Sequence, residues 1–257
     1  MRKYFTIMLA IALQMLSVTT LTSCGDDDEE IVVPPSSDNN NNNSNDDSND
    51  EGGDNTEDHA YVDLGLPSGT LWATCNVGAT SPEEYGYHFA WGETQPKEDY
   101  SWSTYTYKYC KGSEYTMTKY CTSSDYGTVD NKTELEAIDD AATANWGSEW
   151  QMPSFEQCAE LKNSNYVTTT WITLNGVKGR MIVSKQNGNR LFLPAAGYRN
   201  DTSLKGVGSR GYYWSRSLYT GYYSNSGRDL YFGSSYVSMG GNGRYSGHSV
   251  RPVRVQK

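Results

Sequence analysis

Val177-Lys178-Gly179-Arg180-Met181-Ile182-Val183-Ser184, then Asn187-Gly188-Asn189, then Arg190-Leu191-Phe192-Leu193-Pro194 is the stretch that decides the fold class. Two apolar runs flank a strong tight-turn sequence, which predicts an antiparallel hairpin. The same alternation of short runs and turns continues outward. Tyr61 to Leu66, the turn Pro67-Ser68-Gly69 and Thr70 to Cys75 predict another hairpin. Short runs at Tyr212 to Ser215, Asp229 to Phe232 and Ser249 to Val253 are spaced by Gly and Ser. Two helices stand among them. Lys132 to Asn145 carries Leu135, Ile138 and Ala142 at helical spacing. The second opens at Pro153-Ser154, where Ser154 and Gln157 form a capping box, and it buries Phe155, Cys158 and Leu161. Two helices among many short antiparallel strands predict an α+β domain over residues 59–257.

What precedes that domain is of another kind. Arg2 and Lys3 begin a basic, then apolar segment that is too short to span a bilayer and ends at Leu21-Thr22-Ser23-Cys24. It resembles the signal and lipobox of a bacterial lipoprotein, which implies removal of residues 1–23 and lipidation of Cys24. Acyl chains bury CH2 groups at ~0.8 kcal/mol each, so the anchor needs no spanning helix. Residues 24–58 form an acidic tether. Gly25-Asp26-Asp27-Asp28-Glu29-Glu30 resembles the acidic stretch that routes some lipoproteins to the outer face of the outer membrane. Pro34 to Asp58 is Asn, Asp, Ser and Gly with almost nothing apolar, and it cannot offset the entropy of ordering.

The net charge of -10 belongs to this tether. Residues 26–58 hold thirteen acids and no Lys or Arg, whereas residues 59–257 hold nineteen bases and eighteen acids. The low pI therefore says nothing about the ligand of the folded part, and no nucleic-acid partner is expected. Within the domain, residues 59–161 carry sixteen acids against five bases, and residues 162–257 carry fourteen bases against two acids, Asp201 and Asp229. Either the halves pair their surfaces, or the C-terminal face is basic for an acidic ligand.

Several segments together resemble one family. Val62-Asp63-Leu64-Gly65-Leu66-Pro67-Ser68-Gly69-Thr70-Leu71-Trp72-Ala73, Tyr87-His88-Phe89-Ala90-Trp91-Gly92-Glu93, Asn189 to Arg199, Gly211-Tyr212-Tyr213-Trp214-Ser215 and Ser249-Val250-Arg251-Pro252-Val253 are similar to the Fibrobacter succinogenes major paralogous domain family. The resemblance covers nearly all of residues 61–254. It implies a single C-type-lectin-like domain, related in architecture to the formylglycine-generating enzymes, in secreted or lipid-anchored proteins. Trp150 to Glu156 is similar to the segment that opens a helix in those enzymes.

Their chemistry has no counterpart here. The copper of formylglycine-generating enzymes needs a late pair of cysteines, because thiolates suit Cu(I), and no cysteine follows Cys158. His59, His88 and His248 are isolated in sequence, without metal-site spacing. Gln95-Pro96-Lys97 puts a cation where a calcium-dependent lectin needs a carboxylate. No cofactor, metal or catalytic residue is expected. Cys75, Cys110, Cys121 and Cys158 allow three pairings. Cys110 and Cys121, across Gly112, are candidates for a local bridge, which leaves Cys75 with Cys158.

Gly211 to His248 is rich in Tyr, Ser and Gly and lacks Lys. Tyr gives contact area at low entropy cost while Ser, Gly and Asn adapt, as in antibody-like recognition surfaces. Trp214, Leu218, Leu230, Phe232 and Val237 are the expected core. Tyr219, Tyr222, Tyr223, Asn225, Asp229, Tyr231, Tyr236, Ser238, Asn242, Tyr245 and His248 are the candidate ligand-binding residues. Together with Gly233 they also fit the product set of adenine-directed diversification in retroelement targets, with Ser249 to Val253 as a fixed trailer. The expected function is a lipid-anchored outer-membrane protein, facing outward, that binds an extracellular protein or glycan. The alternatives are a structural or adhesive surface protein without a defined pocket, and a divergent enzyme.

Overall fold

The computed structural model describes residues 59–105, 109–221 and 225–254. The strands in chain order are β1 (Tyr61–Asp63), β2 (Leu71–Ala73), β3 (His88–Phe89), β4 (Trp150–Gln151), β5 (Val167–Leu174), β6 (Val177–Ser184) and β7 (Arg190–Pro194). They continue as β8 (Tyr198–Asn200), β9 (Ser203–Lys205), β10 (Gly211–Leu218), β11 (Ser226–Phe232), β12 (Val237–Gly243), β13 (His248–Ser249) and β14 (Val253–Arg254). The helices α1 (Ala141–Trp146) and α2 (Phe155–Glu160) flank β4. Strand orders are β1-β2-β14-β4, β12-β11-β10-β13-β3, β5-β6-β7 and β8-β9. The named strands pair antiparallel except β10 with β13. The architecture is α+β, as expected.

Both expected hairpins form. β1 pairs with β2, Tyr61 opposite Ala73, and β6 pairs with β7, Val183 opposite Arg190. The second gains a strand that the sequence reading left out. β5 is rich in Thr and other β-branched residues, and its turn to β6 is Asn175-Gly176, with φ of 49° and 80°. Both values lie in the left-handed region that a two-residue hairpin turn requires and that Asn and Gly tolerate.

The helix expected over Lys132–Asn145 shrinks to α1, behind a 3₁₀ turn at Ala137–Asp139. Its first part is tied to β10 instead: Leu135 N donates to Arg216 O and Leu218 N to Thr133 O. Asp140 then starts α1 as its cap, accepting from the backbone N–H groups of Ala142 and Thr143, and it also accepts from Met152 N. Ile138 accordingly lies outside the core, 71% exposed. The capping box of α2 forms in both halves, Ser154 with Gln157. Cys158 and Leu161 are buried, while Phe155 is half-buried under the Arg228 guanidinium.

Alternation along β10 and β11 places a core on each side of their sheet. Trp214 and Leu218 join Phe89, Trp91, Tyr105 and Tyr120 on one side. Tyr213, Leu230 and Phe232 join Leu64, Trp72, Leu191 and Val253 on the other. Burying Phe232 alone is worth about 1.5–3 kcal/mol. Reciprocal indole bonds stitch β10 to the segment at β3: Trp91 Nε1 donates to Ser215 O and Trp214 Nε1 to Phe89 O, each at 2.8 Å.

Two buried arginines close the domain. Arg251 donates to Asn76 Oδ1, Ala73 O and Thr74 O, so the chain end clamps the first hairpin. Arg244 donates to Lys119 O and Tyr120 O beneath Trp91. The expected bridges are not formed. Cys110 and Cys121 are thiols directed at different carbonyls, Tyr105 O and Ser123 O, and Cys75 and Cys158 are likewise free.

Candidate recognition surface: a tyrosine ladder at the open end of a sheet

Register sets out one face of the β10-β11-β12 sheet. Tyr212, Tyr231 and Ser238 lie in one row across the strands, and Trp214, Asp229 and Gly240 lie in the next. The second row is covered by the core. The first row is open, and there the rings form a ladder. Tyr212 stacks on Tyr231 with centroids 6.0 Å apart and planes 13° from parallel. Tyr198, from β8, meets Tyr212 edge-on at 4.9 Å, and Tyr236, from the β11–β12 turn, meets Tyr231 at 5.8 Å. Such cross-strand aromatic contacts contribute roughly 0.2–1 kcal/mol each. Tyr198, Tyr212 and Tyr231 are half-buried and Tyr236 is 40% exposed.

The turn that carries Tyr236 is fixed from below. Arg180 of β6 is buried and donates to Gly233 O and Tyr236 O. Glycines opposite the tyrosines make room for rings lying flat. A Cβ at Gly240 would approach the Tyr231 ring to 2.9 Å, one at Gly241 the Tyr219 ring to 2.6 Å, and one at Gly243 the Tyr245 ring to 2.6 Å. The Tyr-Gly composition of this region is thus partly a packing requirement.

The expected site residues separate into groups. Tyr231 and Tyr236 belong to the ladder, and Ser238 is half-buried in its row. Tyr219 packs over Gly241 beneath the Arg228 guanidinium. Tyr245 leans on Trp102 at 4.9 Å, and its hydroxyl accepts from Asn200 of β8. Tyr222 and Tyr223 lie outside the described residues.

Three expected surface residues are buried instead. Asn225 is buried and donates to Glu114 Oε2 at 2.6 Å. Asp229 and His248 are 0% and 1% exposed. Position in the row explains both: Asp229 stands beside Trp214, and His248 stacks on the Trp214 ring at 3.9 Å. Asn242 reaches under the sheet to donate to Asp229 Oδ2 at 2.7 Å. Among the described candidates Tyr236 alone is exposed, and Tyr219, Tyr231, Ser238, Asn242 and Tyr245 are half-buried.

His248 Nδ1 lies 3.6 Å from Asp229 Oδ2. Burial pushes the Asp229 carboxyl up to about 7 and holds the His248 imidazole well below its ordinary range. Burial also holds His88, on the neighbouring strand, down at about 4. At neutral pH the two histidines are uncharged and Asp229 is near its midpoint; His88 and His248, far apart in sequence, stand on adjacent strands, whereas His59 stacks on Trp146. Asp229 Oδ1, His248 Nδ1 and Ser249 Oγ have no hydrogen-bond partner among the described residues. The described residues contain no group of three or more His, Cys, Asp or Glu placed to hold a metal ion.

Three contributors were missed in sequence: Tyr198, Tyr212 and Arg210. Arg210 precedes β10, is fully exposed, and stands beside the Tyr212 hydroxyl within electrostatic reach of Tyr198 and Tyr236. A concavity elsewhere, of about 360 Å³, is lined by Gly92 to Lys97, Tyr109 and Ile138. Its cation is already engaged, Lys97 Nζ lying 2.9 Å from Glu93 Oε2 and donating to Thr104 O.

No family model, curated protein or solved structure matches the chain.

Proposed function

We propose that this chain is a lipid-anchored outer-membrane protein, held through Cys24, whose C-type-lectin-like domain recognises an extracellular protein or glycan through the tyrosine ladder. The single observation that carries the reading is the row Tyr198-Tyr212-Tyr231-Tyr236 at the open end of a sheet whose other end is closed by core. Soluble proteins rarely leave contiguous aromatic surface uncovered without a use for it. Tyr anchors also carry a disproportionate share of interface energy. The floor beneath the row is rigid, because Arg180 pins the turn and Trp214 and His248 fill the covered end. A preorganised surface loses less entropy on binding.

The test is a screen of the full-length protein against glycans and surface proteins, repeated with Tyr236→Ala and with Tyr166→Ala, an exposed tyrosine outside the ladder. Saturable capture that Tyr236→Ala weakens and Tyr166→Ala leaves intact supports the reading. Capture insensitive to both variants points to a surface elsewhere on the chain.

A further inference from the structure

We propose that the free edge of β12 takes an extended segment of another protein as an added strand beside the tyrosine row. This rests on the recognition role of the row and narrows its partner to a protein.

Hydrogen-bond phase is the first ground. β12 ends its sheet, and its outer side pairs with no strand among the described residues. Arg244 N donates to Asn225 O beyond one end of the β11–β12 ladder, and Gly233 N donates to Tyr236 O beyond the other. Both pairs continue the register of the strands between them, in which directly opposite residues alternate between bonded and non-bonded pairs. Ser238, Gly240 and Asn242 therefore bond to β11, and the N–H and C=O groups of Val237, Met239 and Gly241 turn outward. Among the described residues these three N–H groups have no partner, and of the carbonyls Met239 O meets the Ser238 hydroxyl at 3.5 Å. Outward groups recur at every second residue, roughly 6.6–6.8 Å apart, and a second extended backbone carries the matching row.

The edge is also unguarded. Val237–Gly243 contains no charged residue and no proline, and its register with β11 has no bulge. Those are devices that ordinarily keep an edge strand from pairing. Adjacent strand residues point to opposite faces, so the Tyr231 ring against Gly240 and the Tyr219 ring against Gly241 flank the edge on both faces. Side chains of an added strand meet these rings, and aromatic or β-branched ones gain most from such cross-strand contact.

The occupant is not a second copy. In the fullest antiparallel overlap of two β12 edges, Val237 stands opposite Gly243, Met239 opposite Gly241 and Gly240 opposite Gly240, so each apolar side chain meets a glycine. Such a contact buries little apolar surface, against the roughly 1,200 Å² at the low end of stable interfaces. Nor does the tether suit the edge, since Pro34 to Asp58 is rich in Asn, Asp and Gly, which are depleted in strands. A foreign strand brings the side chains that β12 lacks.

The experiment selects peptides from a random phage-displayed library on the full-length protein. The tightest is then synthesised unmodified and with its backbone amides N-methylated at odd or at even positions. An added strand presents alternate amides to β12, so one methylated form should bind like the unmodified peptide and the other roughly tenfold or more weakly. Met239→Pro, which removes the central outward donor, should weaken binding as much, while Met239→Leu keeps both the donor and the affinity. Thr169→Pro makes the same change on the outer side of β5, where Lys185 N donating to Tyr166 O sets the phase, and should bind like the parent. Equal affinity of the two methylated forms overturns the inference, whether or not Met239→Pro folds, as does parental affinity in a folded Met239→Pro. So does a library that yields no peptide, or self-association of the protein that Met239→Pro abolishes. Two further variants separate the two claims. If a glycan is bound, Tyr236→Ala weakens it and no peptide is selected, the recognition role stands and the added strand falls. If the alternation appears and neither Tyr231→Ala nor Tyr236→Ala changes the affinity, the added strand stands and the recognition role of the row falls.

Discussion

The Asp229 carboxylate and the His248 imidazole lie 3.6 Å apart with both side chains buried, directly behind the Trp214 ring that closes the covered end of the tyrosine row. Asn242 approaches the same carboxylate, and Tyr212 and Tyr198 pack against the imidazole. The floor of the tyrosine row therefore contains an uncharged imidazole beside a carboxyl that titrates near neutrality.

That arrangement makes stability depend on pH with a definite sign. The native Asp229 carboxyl releases its proton near about 7 and the ordinary value is 3.8, so between these values the native state holds the extra proton. Its contribution to stability falls as pH rises from about 4 to about 7 and then levels off. His248 works oppositely: the unfolded imidazole gains a proton below about 6.5 and the buried one does not, so stability falls as pH drops. Asp229→Asn removes only the first effect. The melting temperature of Asp229→Asn minus that of the parent should rise between pH 4 and pH 7. A difference that stays constant over this range contradicts the buried, raised carboxyl.

Arg251 should contribute strongly to stability. Removing it leaves Ala73 O, Thr74 O and Asn76 Oδ1 without their donor. Arg251→Met is expected to cost about 3 kcal/mol or more by denaturant titration, since each orphaned buried acceptor costs about 1–3 kcal/mol. Arg251→Lys should recover little, because an ammonium cannot reproduce the spread of donors on the guanidinium. Near-parental stability in either variant would mean that the chain end does not clamp the first hairpin.

Exposed and packed aromatics should separate cleanly on melting. Tyr236→Ala is expected to change stability by about 0.5 kcal/mol or less, as at surface sites. Trp214→Ala and Phe232→Ala should each cost about 3–5 kcal/mol. Tyr245→Ala should fall between, since its ring rests on Trp102 and fills the space over Gly243. If Tyr236→Ala destabilises on the scale of Trp214→Ala, the ladder is core.

Much of the fold was legible because it depends on local chemistry. Asn-Gly turns, the Ser154–Gln157 box and the alternation through Trp214 and Phe232 are written in neighbouring residues. β5 has the same kind of signal, a β-branched run before Asn175-Gly176. The helix over Lys132–Asn145 failed because helical spacing competed with pairing to β10, a partner more than eighty residues away. The site was half legible. Composition pointed to the C-terminal tyrosines, but Asp229 and His248 look like ordinary surface residues until register places them behind Trp214. Arg210 carries no signal at all until the fold brings it beside Tyr212.

The anchor is tested apart from the domain. Cys24→Ala should move the protein from the membrane fraction to the soluble fraction, because a signal cut without lipidation leaves no acyl chain to bury. Membrane partition equal to the parent's would contradict lipidation at Cys24.

The ladder itself is tested most directly by the dissociation constant of a captured ligand for the parent, Tyr231→Ala, Tyr236→Ala and Tyr166→Ala, each with a melting temperature. Central Tyr anchors are worth about 2 kcal/mol or more, roughly a thirtyfold change in affinity. At least one ladder variant should weaken binding by that factor while Tyr236→Ala keeps the parental melting temperature and Tyr166→Ala keeps the parental affinity. Parental affinity in both ladder variants, with the ligand still bound saturably, would place recognition elsewhere and contradict the account.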